Sequence, residues 1–180
     1  MPATEIKLLE ELQNKSTQEQ AFKKLISEYK ERLYWHIRKI VISHDDADDV
    51  LQNTFVKIYR NISSFKGESK LYSWMYRIAT NEAITFINKR AKEMRVEVND
   101  LIANRTENLK ADIYFDGDDI QLQLQKAIAI LPQKQQLVFN MKYFDEMKYQ
   151  EMAEILETSV GALKASYHHA VKKIEKFLTE

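Results

Sequence analysis

The 180 residues carry 27 Lys and Arg against 27 Asp and Glu, and 44% of them are hydrophobic, enough to bury a core for one ordinary domain or two small ones. Three Gly and two Pro leave too little turn chemistry for a many-stranded sheet, so an all-β sandwich or barrel is excluded and an all-α fold is expected. The absence of cysteine removes disulfides, thiolate nucleophiles and Cys-ligated zinc. Apolar runs of a few residues fall far short of a bilayer span, and Met1 to Lys15 is too charged for a signal peptide, so a cytoplasmic protein is expected.

Neutrality is a sum of unlike parts. Residues 1–91 hold fifteen basic and twelve acidic side chains, residues 92–125 four and eight, and residues 126–180 eight and seven. The middle is acidic. In the first part the basic excess lies between Lys66 and Arg90, where Lys66, Lys70, Arg77, Lys89 and Arg90 face only Glu68 and Glu82. On charge alone this is a solvated helical surface.

In chain order, Ser16 with Glu19 and Thr17 with Gln20 form two overlapping capping boxes ahead of Phe22, Leu25, Ile26, Tyr29, Leu33 and Ile37 at helical spacing, which predicts a long amphipathic helix. Asp45 and Asp46 supply an N-cap and acidic first turn for a second helix, with Val50, Leu51, Phe55, Ile58, Tyr59 and Ile62 on its core face. Ser63 to Ser69, with Gly67, breaks it, and a third helix runs from about Leu71 to Lys92. From Glu93 to Asp119 the periodicity fades among acids, predicting a linker ordered in part at most. Asp118 or Asp119 caps a helix to Leu131, and Pro132 opens the next, to Phe144. A short helix from Lys148 to Leu156, a break at Glu157 to Val160, and a final helix to about Leu178 make a helix-turn-helix pattern.

Catalytic patterns are missing: there is no H-E-x-x-H, G-x-S-x-G, P-loop or G-x-G-x-x-G, so no enzyme and no cofactor are expected. Asp45, Asp46, Asp48 and Asp49 lack the alternation and Gly of a calcium loop, and the adjacent His168 and His169 point apart on a helix, so no metal is expected.

The run Asp46 to Tyr59, then Phe65-Lys66-Gly67, then Trp74 to Asn81 resembles the minus-ten domain of bacterial extracytoplasmic-function (ECF) sigma factors. Leu131-Pro132, Val138-Phe139, Tyr149 to Leu156 and Val160 to Lys164 resemble the same family's minus-thirty-five domain. The likeness covers roughly residues 20–92 and 122–178, two signatures in series. It implies two small helical domains, a sigma2-type bundle over 1–92 and a sigma4-type helix-turn-helix over 120–180, joined by an acidic linker over 93–119. It further implies a subunit that binds core RNA polymerase and directs promoter-specific initiation, with promoter DNA and an anti-sigma factor as partners.

By that resemblance Asp49, Gln52, Asn53 and Val56 meet the polymerase, although Asn53 stands where an acid is common. The loop Phe65, Lys66, Gly67 to Lys70 and the helix positions Tyr72, Ser73, Trp74, Arg77 and Asn81 belong to minus-ten recognition, where an unstacked base needs a pocket, polar edges and cations. Trp74 reads equally as core or as a stacking platform. Lys164, Ala165, His168 and His169 are placed near base edges of the minus-thirty-five element, with Lys148, Tyr149, Lys172 and Lys173 nearer phosphates. Arg is usual where Ser166 and His169 stand, a small hydroxyl residue is common at Ala165, and Gly is common at Glu146 and Glu157. With so little positive charge, duplex binding by the chain alone is expected to be weak, the polymerase supplying most of the grip. The acidic linker either threads toward the polymerase channels or is a solubilising tether. Two other readings fit the residues: a stand-alone helix-turn-helix regulator and an all-helical protein adaptor.

Overall fold

Apolar residues at helical spacing fold into nine α-helices, with no strand, among the described residues 3–109 and 117–179 of the computed structural model. They are α1 (Ala3–Gln13), α2 (Gln18–Val41), α3 (His44–Asn61), α4 (Leu71–Met94), α5 (Val98–Glu107), α6 (Asp119–Ala129), α7 (Gln133–Tyr143), α8 (Tyr149–Leu156) and α9 (Val160–Thr179). The core of the first half is Leu25, Leu33 and Ile37 of α2, Val50 and Ile58 of α3, and Leu71, Met75 and Ala79 of α4, all essentially inaccessible. Each such aliphatic side chain contributes about 1.5–3 kcal/mol on burial.

Helix α1 lies in the segment that reads from sequence only as charged. It buries Leu9 and Leu12 in the same core. Glu5 Oε1 accepts a hydrogen bond from Leu71 N at 2.8 Å and so caps α4, whose own N-cap residue, Lys70, makes no side-chain cap. The expected capping boxes before α2 do not form. Thr17 is the N-cap residue but its hydroxyl donates to Glu11 O at 2.8 Å, and Ser16 Oγ donates to Asn14 Oδ1, because the turn from α1 takes both groups. The N-cap of α3 is Ser43 rather than an aspartate, its side chain accepting from Asp46 N, while Asp45 and Asp46 occupy the acidic first turn.

The expected linker is helical over Val98–Glu107. Leu101, Ile102 and Leu109 bury against Ile42, Ile87, Ala91, Leu122 and Ala129, so α5 joins both halves through a second core. Arg105 fixes it: Nη1 donates to Val41 O and Nη2 pairs with Asp46 Oδ2, each at 2.6 Å. Residues 110–116, with Asp112 and Asp116 of the acidic segment, lie outside the described residues.

In the second half, Asp118 caps α6 as expected, accepting from Gln121 N at 2.8 Å. Pro132 is the N-cap of α7 instead of its first residue. Ala127, Ile128, Leu131, Phe139, Ala170 and Ile174 form the core of this half, and α8 and α9 make the helix-turn-helix.

The halves are not independent. Met141, Met147, Met152, Ile155 and Leu163 of the second bury in the same apolar cluster as Leu71 and Met75 of the first, with α8 laid on α4. At one end of this seam Asp145 is bonded to Lys39 and accepts from His36 Nδ1 at 3.3 Å, while His36 Nε2 meets Thr80 Oγ1 at 2.8 Å. Burial alone would push the Asp145 carboxyl up; the hydrogen bond and charge of His36, with Lys39, overcome this and hold it below its ordinary value. Burial pushes the Glu151 carboxyl up in the same way, but the hydrogen bonds from Lys70 and the backbone of Lys148 outweigh it and hold this group below its ordinary value too.

Replacing Ile102 with Ala is expected to cost about 2–4 kcal/mol, read by urea unfolding, as for a core residue; a cost near zero would mean α5 does not share the fold's stability. Because both carboxyls are lowered in the packed arrangement, their stabilisation is complete above the unfolded carboxylate range and is lost as pH falls through the lower folded values. Small-angle scattering should give a constant radius of gyration from about pH 5 to 8 and an increase below about pH 4 before helical circular dichroism is lost, and Asp145→Asn should flatten that response.

Candidate functional site

The exposed side of α3 presents Asp49, Gln52, Asn53 and Val56 in one row, positions i, i+3, i+4 and i+7 of a helix whose other face, Val50, Leu51, Thr54 and Ile58, is buried. Beside this row an open apolar groove of about 740 Å³ runs between α2 and α3, lined by Phe22, Ile26, Leu51, Phe55, Val56 and Tyr59 among others. Val56 is 46% and Tyr59 42% exposed. The sequence expectation that both Phe55 and Tyr59 are core is corrected at Tyr59: Phe55 is buried, but Tyr59, one turn further, sits at the groove mouth with its ring 5.0 Å from that of Phe22.

A second candidate surface follows the start of α4. Gly67, with φ 73°, turns the chain ahead of the helix in a conformation that costs other residues. Lys66, Lys70 and Asn81 are exposed, and Tyr72, Trp74 and Arg77 are half-buried. Two nominated residues depart from this surface. Phe65 is buried, its ring 5.2 Å from Trp74, and Ser73 is buried against the core side, so neither side chain is presented to solvent. Trp74 packs on the apolar cluster, which favours its core reading.

Two of the three cations of this surface, Lys70 and Arg77, are engaged. Lys70 Nζ meets Glu151 Oε1 at 3.1 Å and Arg77 Nη1 meets Glu157 Oε1 at 2.8 Å, both carboxylates coming from the second half. Lys70 is held above the ordinary lysine range by this hydrogen bond to Glu151 and its charge. A polar cavity of about 330 Å³ adjoins the Lys70–Glu151 pair, walled by Tyr29, Arg32, Tyr72, Glu146 and Met147 among others. Burial, with the nearby Glu28, pushes the Tyr29 phenol up to about 12. Arg32 lies over the Tyr72 ring at 4.9 Å. Sequence reasoning missed Arg32 and Asp145, because their partners are distant along the chain.

The third surface is the outer face of α9. Lys164, Ala165, His168, His169, Lys172 and Lys173 are all exposed along it, and Lys148 is exposed at the start of α8. Tyr149 is half-buried, with Lys164 and Lys142 over its ring at 5.8 and 5.3 Å. The structure therefore places the six α9 residues of the expected set on one exposed face, with Lys148 and Tyr149 beside it at the start of α8. The backbone sets the turns beside it: Glu146 and Glu157 have φ of 52° and 50°, which accounts for glycine being usual there.

Residues 25–93 match the family Sigma-70 region 2, and residues 121–174 match Sigma-70, region 4. The chain is 30% identical over 177 residues to the ECF RNA polymerase sigma factor SigW of Bacillus subtilis, covering 93% of this chain and 94% of the relative. It is 28% identical over 165 residues to the ECF RNA polymerase sigma-E factor of Haemophilus influenzae, covering 86% of each. Among solved structures, CnrH in complex with the cytosolic domain of CnrY superposes with a TM-score of 0.69 at 20% identity over 97% of both chains. The sigma factor RpoE of Bartonella quintana, solved with the anti-sigma factor NepR, gives 0.66 at 20% identity over 88% of this chain and 96% of the other. These two likenesses speak for the helical fold. Two sigma regions in order within one chain, and identity sustained along nearly the whole of a curated relative, establish that this protein belongs to the ECF group of RNA polymerase sigma factors and directs transcription initiation.

Proposed function

We propose that the α3 row Asp49, Gln52, Asn53 and Val56, with the adjoining apolar groove, is the surface that docks on core RNA polymerase. The observation that carries this is the row itself: four side chains exposed in helical register beside an unfilled apolar channel, while the opposite face of α3 is buried. Lys66, Lys70, Tyr72, Arg77 and Asn81 serve the opened minus-ten strand, with cations for the backbone and rings and amides for bases. Lys164, Ala165, His168 and His169 face the minus-thirty-five bases, with Lys148, Tyr149, Lys172 and Lys173 toward phosphates. These roles divide the chain at residues 1–92 and 120–180, with 93–119 between. No residue needs to act as a catalyst, and no cofactor or metal is required.

The related structures solved with anti-sigma partners support an inhibitor for this chain as well. The protein then works in the cytoplasm, where its polymerase is; no helix of the described residues is long and apolar enough to cross a membrane. A stand-alone operator-binding regulator is disfavoured, because the helix-turn-helix half contributes only eight basic against seven acidic side chains.

Exchanging Val56 and Tyr59 for Asp should weaken binding to purified core polymerase by about tenfold or more while leaving the unfolding midpoint near wild type, since both are exposed; unchanged affinity would contradict the assignment. Exchanging Lys164 and His169 for Ala should lower initiation at a chain-dependent promoter by about tenfold and leave core affinity within twofold, as expected for base and phosphate contacts made on DNA alone. Loss of core affinity in that variant would show that the two surfaces have been exchanged.

A further inference from the structure

Residues 126–180 are nearly neutral, with eight basic and seven acidic side chains, yet the two signs are sorted in space. Asp145 pairs with Lys39 and His36, Glu151 with Lys70, and Glu157 with Arg77. Glu146 lines the cavity beside Arg32, and Glu154 adds its charge to the field at Lys70. These acids all lie toward the first half. The outer face of α9 is left with Lys164, Lys172 and Lys173 and with His168 and His169 between them, while Glu175 comes about two turns after His168.

The chain has four histidines, and two of them are engaged inside the first half. His36 is buried between Asp145 and Thr80, and His44 Nδ1 lies 2.7 Å from the Tyr34 hydroxyl. His168 and His169 differ: they are exposed, their rings are 6.0 Å apart, and neither has a hydrogen bond or ion pair among the described residues. Lys164 and Lys172 stand one turn to either side of His168, and Lys173 one turn past His169. From the packed elements, α8 sets Lys148 and Tyr149 beside Lys164, and α7 sets Lys142 over the Tyr149 ring. Helix α6, which carries Asp119 and Lys126, packs near Ala170 and Ile174, on the side of α9 opposite the imidazoles.

Imidazole is the side chain whose charge ordinarily changes between pH 5 and 8, and a phosphate brought against it favours the charged form. Arginine, usual at position 169, is charged throughout that range. We propose that the α9 face takes up protons as it binds duplex DNA: His168 and His169 become imidazolium on meeting it, so that duplex binding tightens as pH falls from about 8 to 6. Two charges are then added to those of Lys148, Lys164, Lys172 and Lys173, with the protons drawn from solvent and returned on release. This rests on the assignment of α9 to duplex DNA given above.

The test uses the full chain and a fluorescein-labelled duplex of about thirty base pairs of mixed sequence, since the phosphate contribution is independent of sequence. Anisotropy is followed at pH 8 and pH 6, starting from about 20 mM salt, where such contacts are strongest. Wild-type affinity should rise roughly five- to twentyfold at the lower pH, and the logarithmic salt slope should steepen by about 1 to 2. His168→Gln with His169→Gln, exposed changes that suit a helix, should abolish both effects. His168→Lys with His169→Lys should bind at pH 8 about as tightly as wild type at pH 6. A pH gain that survives in the Gln variant overturns the proposal, as do wild-type affinities equal at the two pH values or no wild-type binding at pH 6. Lys164→Ala with Lys172→Ala separates this from the assignment beneath it: weaker binding at both pH values upholds α9 as the duplex face, whereas unchanged binding refutes that face and the proposal with it.

Discussion

The arrangement depends on the contact of α8 with α4. Met152 and Ile155 share one apolar cluster with Leu71 and Met75, and this burial, not the surrounding charges, supplies most of the attraction. The ion pairs of Lys70 and Arg77 are at least partly exposed and add little energy, but they fix register and decide which groups are covered. The Asp145 cluster differs, being mostly buried, and there a lost partner would leave a charge without compensation.

Helix identity was readable from apolar periodicity because each long helix buries one face: the spacing of Leu25, Leu33 and Ile37, or of Val50, Leu51 and Ile58, carries its own partner information. What escaped was non-local. Glu5 caps a helix that starts at Leu71, and nothing in the spacing around either residue announces it. The acids among residues 93–109 hid α5, whose buried Leu101 and Ile102 find apolar partners in Ile42, just after α2, and on α4 and α6. The capping boxes before α2 failed because α1, unseen, offered Asn14 and Glu11 as closer acceptors.

The site divides in the same way. The α3 row and the α9 face were readable, since exposure follows from helical phase once the buried face is known. Phe65 and Ser73 were misplaced because family likeness marks a segment, whereas burial is decided residue by residue within it. Tyr59 was misplaced in the opposite sense, an aromatic ring in core register that the ends of α2 and α3 leave at the mouth of a groove. The charges of Lys70 and Arg77 suggested an available basic patch, and only the fold reveals their partners, some eighty residues away.

Promoter selection by this chain on polymerase is tested most directly by run-off transcription of fragmented genomic DNA with purified core enzyme, with and without the chain. Discrete new transcripts whose upstream regions share two sequence blocks at constant spacing are predicted. An identical transcript pattern in both reactions, with the chain folded and present in excess, would contradict it.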